Sequence, residues 1–170
     1  MKVKTKIIVT GGLGFIGSNL IELLIKKNFY VINIDKVSYS SNFYNVREFK
    51  KNKNYKFIKC DILNKRKIID ILIKEKPKAI FNLAAETHVD RSIETPKDFI
   101  HSNIVGTFNI LEQIRKYKKR IKENIRLIHI STDEVFGDLE KNKRSSEYSS
   151  YNPSSPYSAS KASADHLIKS

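Results

Sequence analysis

The stretch Ile7-Ile8-Val9-Thr10-Gly11-Gly12-Leu13-Gly14-Phe15-Ile16-Gly17 passes from a short β-branched run, through spaced glycines, into an amphipathic segment. A glycine motif between a strand and a helix is typical of a turn that binds the phosphates of a dinucleotide. Gly11 permits the tight turn, Gly14 allows the backbone to approach a pyrophosphate, and Gly17 lets the helix pack against its strand. We therefore expect a dinucleotide-binding fold.

The helix after this turn begins with Phe15 and Ile16, whose free N–H groups and positive dipole end would face the phosphates. The glycine spacing is G-x-x-G-x-x-G rather than the G-x-G-x-x-G of many dehydrogenases. This departure favours the short-chain dehydrogenase/reductase group.

Acidic residues at the ends of the next two strand-like runs predict how the adenosine end of the dinucleotide is held. Asp35 is placed to accept both hydroxyls of the adenosine ribose, and its charge would repel a 2′-phosphate, which favours NAD over NADP. Lys36 beside it weakens that preference. Asp61 and Ile62 follow the third run, in position to meet the adenine ring, although spacing alone equally allows Asp61 to cap the next helix.

Short β-branched runs alternate with amphipathic stretches, which predicts an α/β fold with a doubly wound parallel sheet of Rossmann type. The predicted strands are 6–10, 30–35, 55–59, 79–83 and 125–131, and the predicted helices are 15–27, 64–76, 98–120 and 157–170. The long third helix is expected to bury Phe99, Ile104, Phe108, Leu111 and Ile114. Residues 138–156 are expected to form a polar surface loop.

The predicted organisation is a single NAD-binding domain over residues 1–170. No glycine or proline ends the last helix, so we expect an incomplete domain whose C-terminal substrate lobe is absent. On that expectation, the 170-residue chain by itself is not an active enzyme.

Composition limits the other classes of function. The net charge is +14, but the lysines are dispersed rather than interleaved with aromatic residues on one stripe, which argues against a nucleic-acid-binding module. The single Cys60 excludes an internal disulfide and fits a cytoplasmic setting. No apolar run has the length of a membrane span, and no cysteine or histidine spacing indicates a metal site.

Chemistry is predicted at two further motifs. Tyr157 and Lys161 share one face of a helix, where the ammonium is expected to bring the pKa of the phenol down towards neutrality while also holding the nicotinamide ribose. Asp133 and Glu134 form an adjacent acid pair, in which close like charges favour one protonated and one ionised carboxyl. Because neighbours on a strand point to opposite faces, we place this pair on a turn beyond the fifth strand.

Together these motifs resemble those of the dTDP-glucose 4,6-dehydratase family, which belongs to the extended short-chain dehydrogenases/reductases. The resemblance covers essentially all 170 residues and about the first half of a family member. Two small departures are Thr87, where serine is expected, and Phe136, where tyrosine is expected. The stretches that carry the resemblance are 10–17, Leu83-Ala84-Ala85-Glu86-Thr87-His88-Val89-Asp90-Arg91-Ser92-Ile93, Ser131-Thr132-Asp133-Glu134-Val135-Phe136-Gly137-Asp138 and Ser154-Ser155-Pro156-Tyr157-Ser158-Ala159-Ser160-Lys161-Ala162.

The resemblance implies an NAD-dependent lyase reaction of deoxysugar biosynthesis. Tyr157 takes the proton of the sugar's 4-hydroxyl while NAD takes the C4 hydride, and Thr132 hydrogen-bonds the same oxygen. Glu134 then removes the C5 proton, and Asp133 protonates the departing 6-hydroxyl. The hydride returns to C6 and gives a 4-keto-6-deoxy sugar.

The resemblance also implies further contacts and a partner. Thr87 corresponds to a position that touches the nucleotide-sugar substrate, and Ser102 and Asn103 lie where a helix approaches the cofactor. The strand end Leu83-Ala84-Ala85 belongs to the same cofactor site, as do Tyr157 and Lys161. In the family, the long helix and the last helix build a homodimer contact, and no membrane or nucleic acid takes part.

Alternatives stay open at this point. A UDP-glucose 4,6-dehydratase or a UDP-sugar 4-epimerase would share most motifs, although an epimerase needs no acid pair after Thr132. An alternative of a different class is an inactive NAD-binding fragment. The nucleotide base of the sugar substrate is not encoded in these residues.

Overall fold

The computed structural model describes residues 4–170, and its centre is one parallel sheet. Its strands are β1 (Lys6–Thr10), β2 (Tyr30–Asp35), β3 (Tyr55–Lys59), β4 (Ala79–Asn82) and β5 (Arg126–His129). Their spatial order is β3-β2-β1-β4-β5, and every neighbouring pair is parallel. The order reverses between β1 and β4, which is the position where ligands bind in open sheets of this type. The predicted fold class is confirmed.

The helices connect these strands in the expected alternation. They are α1 (Phe15–Lys26), α2 (Lys65–Glu75), α3 (Val89–Glu94), α4 (Pro96–Phe99), α5 (Gly106–Ile121) and α6 (Pro156–Lys169). A π-helical segment, Ile100–Val105, joins α4 to α5, and short 3₁₀ turns occupy Phe43–Val46 and Asp133–Phe136. The predicted polar loop is confirmed over most of 138–156, where no regular helix or strand forms.

Apolar residues cover both faces of the sheet. Alternate residues of β1 point to opposite sides, because Ile7 and Val9 join one buried cluster and Ile8 joins the other. The first cluster receives Ile21 and Leu24 of α1. The second receives the apolar face of α2 together with Tyr117 of α5. Helices on both faces define the doubly wound arrangement.

The chain divides into two compact units. Unit 1 is the chain up to Ala84 together with Asn109–His129, and unit 2 is Ala85–Phe108 together with Ile130–Ser170. Unit 1 contains the sheet, α1, α2 and most of α5. Unit 2 contains α3, α4, the π-helical segment, the 3₁₀ turn at Asp133–Phe136 and α6, which packs against the other helical segments of the unit.

The predicted helix 98–120 is confirmed as part of a contiguous helical segment, but its turns are π-helical at Ile100–Val105. Its predicted apolar face is wrong at Phe108, which is 47% exposed. The wider π-helical turn changes the phase of the side chains that follow it. The buried face of α5 therefore carries polar residues beside Ile110 and Tyr117, namely Thr107, Asn109 and Gln113. Helix α3 was not predicted, and β4 and β5 are shorter than expected.

An ion-pair network around a buried carboxylate fastens α2 to the sheet of unit 1. Glu75, at the end of α2, accepts hydrogen bonds from Lys6 of β1 at 2.8 Å and from Lys56 of β3 at 2.6 Å. Burial by itself would raise the pKa of Glu75, but the two lysines outweigh burial and hold that pKa below the ordinary 4.5. The ionised carboxylate is therefore favoured in the folded chain.

We expect Glu75→Gln to lower the free energy of unfolding by about 1–3 kcal/mol, because two part-buried charge-assisted hydrogen bonds are weakened or lost. A depressed folded pKa stabilises the fold above pH 4.5, and this contribution disappears as the pH falls through the folded pKa. Urea unfolding of wild type and variant should therefore differ at pH 7 and converge in acid. Glu123→Gln, which breaks the exposed pair with Lys78, is the matched control and should leave stability almost unchanged. Equal effects of the two variants would contradict this account.

Candidate functional site

The glycine turn of unit 1 adopts a backbone that only small residues permit. Gly11 has φ of +69°, and its N–H donates to the carbonyl of Ile34 at 2.9 Å. A Cβ at Gly17 would lie 2.3 Å from the carbonyl oxygen of Gly11. The close packing predicted at Gly17 is therefore directed against the turn itself, which brings the start of α1 next to the end of β1.

The start of α1 is open and carries no acidic residue. Gly14 is its N-cap and supplies no side-chain hydrogen bond, and the first turn contains no Asp or Glu. Phe15 is 81% exposed and Ile16 is 62% exposed. Because the first N–H groups of a helix have no intrahelical acceptor, this end of α1 fits an anionic group.

Asp35 joins the glycine turn to the end of β2. One carboxylate oxygen accepts the N–H of Leu13 at 3.0 Å. The other accepts the N–H of Val37 and the hydroxyl of Ser41, both at 2.8 Å. The side chain is buried, so it shapes this part of unit 1 as well as offering its remaining acceptor capacity to a ligand.

A cleft of about 540 Å³ opens beyond the carboxyl ends of β2 and β3. Its lining includes two residues predicted from the sequence, Lys36 and Asp61, and the basic residues Lys59 and Lys67. Asp61 accepts the N–H of Leu63 at 2.9 Å, whereas α2 is capped by Asn64. Asp61 is therefore not the helix cap that its spacing also allowed.

Neighbouring backbone is held by buried amides and hydroxyls. Ile62 is buried, and its carbonyl accepts a hydrogen bond from Asn109 of α5. Beyond β4, the N–H of Ala84 donates to the Thr10 hydroxyl at 3.1 Å, and that hydroxyl donates to Asn82 at 2.7 Å. The predicted segment at Leu83 and Ala84 is thereby fixed beside the end of β1.

The acid pair of unit 2 lies on a 3₁₀ turn, as predicted, and not on β5. Thr132 is the N-cap of this turn, and its hydroxyl accepts the N–H of Glu134 at 3.3 Å. Asp133 and Glu134 are exposed, while Val135 of the same turn is buried. The turn thus directs both carboxylates away from the packed interior.

Tyr157 and Lys161 lie on α6 and are both buried, with 8% and 4% exposure. The ring of Phe99 packs edge-on against Tyr157 at 6.3 Å between centroids. The Lys161 ammonium donates to the carbonyl of Ile130, two residues before Thr132. Unit 2 therefore gathers the predicted catalytic side chains around α6 and the 3₁₀ turn, which pack against each other.

The electrostatics of Tyr157 differ from the expectation. Burial raises the pKa of Tyr157 above its ordinary 10.0, the charges of Glu134 and Asp133 raise it further, and the hydrogen bond with Thr132 lowers it. Burial lowers the pKa of Lys161 to about 8, while the charge of Asp165 raises it. The expected lowering by Lys161 is not what this structure shows, because burial and two carboxylates dominate at the phenol.

A buried amide braces the other predicted positions of unit 2. Asn103 accepts the N–H of Glu86 at 2.8 Å, and its amide group donates to the Glu86 carbonyl and to the Ser160 hydroxyl, both at 2.9 Å. Ser102 beside it is buried, whereas Thr87 is exposed. The segment that follows Ala85 is in this way tied to α6.

Sequence reasoning missed several residues that support these positions. A Cβ at Gly12 would lie 2.2 Å from the Asn33 side chain, and one at Gly137 would lie 2.0 Å from the Asn152 carbonyl. Gly137 also has φ of +76°. In the sequence, the position of Gly137 directly after the acid pair could have indicated this tight turn. Nothing in the sequence indicated that Asp165 of α6 is buried beside these residues.

Neither a membrane-spanning helix nor a cluster of metal ligands is found within residues 4–170. No helix in that range is long and apolar enough to cross a membrane. The described part of the chain also contains no group of three or more potential metal ligands among His, Cys, Asp and Glu.

Comparisons with known proteins identify relatives that match almost the whole chain. A family model described as GDP-mannose 4,6 dehydratase matches residues 8–170. The dTDP-glucose 4,6-dehydratase of Escherichia coli is 48% identical over 178 residues, covering 96% of this chain and 49% of that protein. The chain spans about half the length of the curated relatives it matches.

Solved structures agree with this assignment of relatives. A dTDP-glucose 4,6-dehydratase from Streptomyces venezuelae, crystallised with NAD, superposes with a TM-score of 0.88 and is 32% identical, covering 97% of this chain and 51% of that chain. A UDP-glucose 4-epimerase from Thermus thermophilus, in complex with NAD, gives a TM-score of 0.85 with 29% identity, covering 97% of this chain and 50% of that chain.

Opposite shifts of the Tyr157 titration should follow from neighbouring substitutions. We expect Thr132→Val to raise the pKa of Tyr157, because a hydrogen bond that lowers it is lost. Glu134→Gln and Asp133→Asn should each lower it, because a nearby negative charge is removed. NMR of isotope-labelled tyrosine, assigned with Tyr157→Phe, measures these shifts. Tyr148, which is 97% exposed, is the internal control, and shifts of the same sign in all three variants would refute the account.

Proposed function

This chain belongs to the family described as GDP-mannose 4,6 dehydratase, and from that premise we propose that it carries the cofactor-binding and proton-transfer residues of an NAD-dependent dTDP-glucose 4,6-dehydratase. The observation that carries the proposal is the acid turn of unit 2, the 3₁₀ turn Asp133–Phe136, where Asp133 and Glu134 follow Thr132. Oxidation of the sugar at C4 needs only the hydroxyl groups of Thr132 and Tyr157. The two added carboxylates suit an elimination that moves two further protons.

We propose NAD contacts for each unit by itself, beginning with unit 1. The open start of α1, at Gly14, Phe15 and Ile16, fits the pyrophosphate, and Asp35 fits the ribose hydroxyls. The remaining proposed contacts are Gly11, Gly17, Lys36, Asp61, Ile62, Leu83, Ala84, Ala85, Ser102, Tyr157 and Lys161. When bound, NAD supplies a hydride acceptor for C4 and a hydride donor for C6.

Oxidation at C4 requires that a proton leave the 4-hydroxyl. Tyr157 is the proposed base, and Thr132, which lowers the pKa of Tyr157, is proposed to hold the same oxygen of the substrate. The raised pKa of Tyr157 means that the phenol is neutral in the unliganded protein. A cationic nicotinamide ring would oppose the raising effect of the carboxylates, so we propose that Tyr157 becomes an effective base when the cofactor is bound.

Elimination uses the acid pair. Once C4 is a ketone, the C5 proton is acidic, and Glu134 is the proposed base that removes it. Asp133 donates a proton to the 6-hydroxyl, which leaves as water. Both carboxyl groups are exposed on a short 3₁₀ turn, where a substrate can reach them.

The main alternative is a UDP-sugar 4-epimerase or a UDP-glucose 4,6-dehydratase. The similarity to epimerase structures supports the first, but epimerisation at C4 needs no acid pair after Thr132. A chain that only binds NAD is the alternative of another class. Incubating the polypeptide from the complete reading frame with NAD and either dTDP-glucose or UDP-glucose discriminates them by mass spectrometry, since dehydration loses water and epimerisation leaves the mass unchanged.

Three wider expectations belong to the same proposal. We propose that residues 1–170 serve as one NAD-binding domain, that the protein acts in the cytoplasm on a nucleotide sugar, and that it works as a homodimer. The free, buried thiol of Cys60 fits a reducing compartment. The exposed apolar side chains of Ile100, Val105 and Phe108 support a protein contact on this part of unit 2.

Asp35 should set the cofactor preference. We expect calorimetry to show tighter binding of NAD than of NADP, and Asp35→Asn to weaken NAD binding by about 10- to 150-fold, the equivalent of about 1.5–3 kcal/mol for a charge-assisted hydrogen bond. Asp70→Asn, on the exposed face of α2, is the control and should bind NAD like wild type. Equal or tighter binding of NADP by the unmodified protein would rule out this role.

Substitution of Glu134 should separate the oxidation at C4 from the elimination of water. In the protein from the complete reading frame, we expect Glu134→Gln to oxidise C4 but to lose C5 exchange with heavy water, with dehydration slowed by about 10²–10⁴. Reduced cofactor should accumulate and be visible by its absorbance. Glu140→Gln, an exposed residue of the following loop, is the matched control. Dehydration at a near-normal rate in Glu134→Gln would show that another group removes the C5 proton.

A further inference from the structure

Asp165 is a buried carboxylate that the proposed reaction does not use. It lies on α6 one helical turn beyond Lys161, and only 8% of it is exposed. A buried ionisable group requires partners to offset its loss of hydration. The partners of Asp165 show what this residue does.

One oxygen of Asp165 accepts two hydrogen bonds from different segments. The Ser131 hydroxyl donates to it from the residue directly before Thr132. The Tyr151 hydroxyl donates to the same oxygen at 3.0 Å from the polar loop. A single carboxylate of α6 therefore holds both the segment that enters the acid turn and the loop that follows it.

Aromatic contacts continue this connection. The Tyr151 ring packs edge-on against Phe136, the last residue of the acid turn, at 5.4 Å, and lies tilted against His166 of α6 at 5.2 Å. The Asn152 N–H donates to the Val135 carbonyl at 3.0 Å. Both ends of the turn are thus attached to α6 through Tyr151 and Asp165.

Different carboxylates act on the two proposed catalytic residues of α6. Asp165 acts on Lys161, whereas Asp133 and Glu134 act on Tyr157. Lys169 lies above the Tyr151 ring, 5.0 Å from its centroid, and His166 contacts the same ring. The carboxylate of Asp165 is therefore the negative charge that favours an ammonium on the buried Lys161.

We propose that Asp165 is a positioning residue for the proton-transfer groups: it holds the acid turn against α6 through Ser131 and Tyr151, and it places a carboxylate one helical turn from Lys161. This inference rests on the proposed function for its consequence in catalysis. The contacts themselves belong to the unliganded chain, so they can be tested without cofactor or sugar.

The first test measures the titration of Lys161 by NMR of isotope-labelled lysine, assigned with Lys161→Arg. In wild type the midpoint, which reports the pKa of Lys161, should lie at about 8. Asp165→Asn should move it lower, because the same shape no longer carries a charge, while Asp165→Glu should restore it. Ser131 and Tyr151 can each donate or accept, so the asparagine variant can keep its hydrogen bonds and its fold.

The second test separates charge from position. Ser131→Ala and Tyr151→Phe each remove one hydrogen bond and leave the charge of Asp165 in place. We expect both to keep the Lys161 midpoint within the error of wild type but to increase amide hydrogen exchange in the 3₁₀ turn and in residues 137–155. Ser163→Ala, on the same helix, is the control and should leave exchange in these segments unchanged.

An unchanged Lys161 titration in Asp165→Asn would overturn the electrostatic part of the proposal. Unchanged exchange in both hydroxyl variants would overturn the positional part. In the complete enzyme, Asp165→Asn should displace the pH profile of kcat, with recovery in Asp165→Glu. Correct titration and exchange results without any dehydratase activity would leave Asp165 as assigned and refute the proposed function instead.

Discussion

The hydrogen bonds of the Asp35 carboxylate hold the glycine turn of unit 1 in place. This carboxylate is the point where the end of β2 meets the glycine turn, since it binds the N–H of Leu13 with one oxygen and the next loop with the other. The left-handed backbone of Gly11 and the close approach of Gly17 complete that turn. The Asp35 carboxylate therefore shapes the surface to which the start of α1 belongs.

Unit 2 follows a different principle, because its proposed catalytic residues lie on one helix and on a turn that packs against it. Tyr157 and Lys161 are buried on α6, while Asp133 and Glu134 stay exposed on a turn that α6 supports. Burial pushes both titrations away from the charged form, raising the pKa of the phenol and lowering that of the ammonium. The carboxylates then act in opposite senses, disfavouring the Tyr157 phenolate and favouring the Lys161 ammonium. A neutral phenol and a readily titrated lysine are the resting state that follows.

Local patterns were sufficient for much of the fold. Strands β1, β2 and β3 begin and end where the β-branched runs predicted, and Asn64 and Lys76 bracket α2 as a cap and a left-handed end. The long helix was predicted less well. The prediction of its buried face assumed the spacing of apolar residues in a regular α-helix. The π-helical segment at Ile100–Val105 changes that spacing, so that Phe108 is exposed and Asn103 is buried.

The sequence by itself determined the fold class, the glycine turn, the position of the acid pair on a turn and the placement of Tyr157 and Lys161 on one helix, because each depends on local patterns in the chain. Only the tertiary structure decided which groups these residues meet. Asp165 with Ser131 and Tyr151, and Asn103 with Glu86 and Ser160, are contacts between residues far apart in the chain. The pKa directions of Tyr157 and Lys161 likewise depend on burial and surrounding charge, which spacing along a chain does not specify.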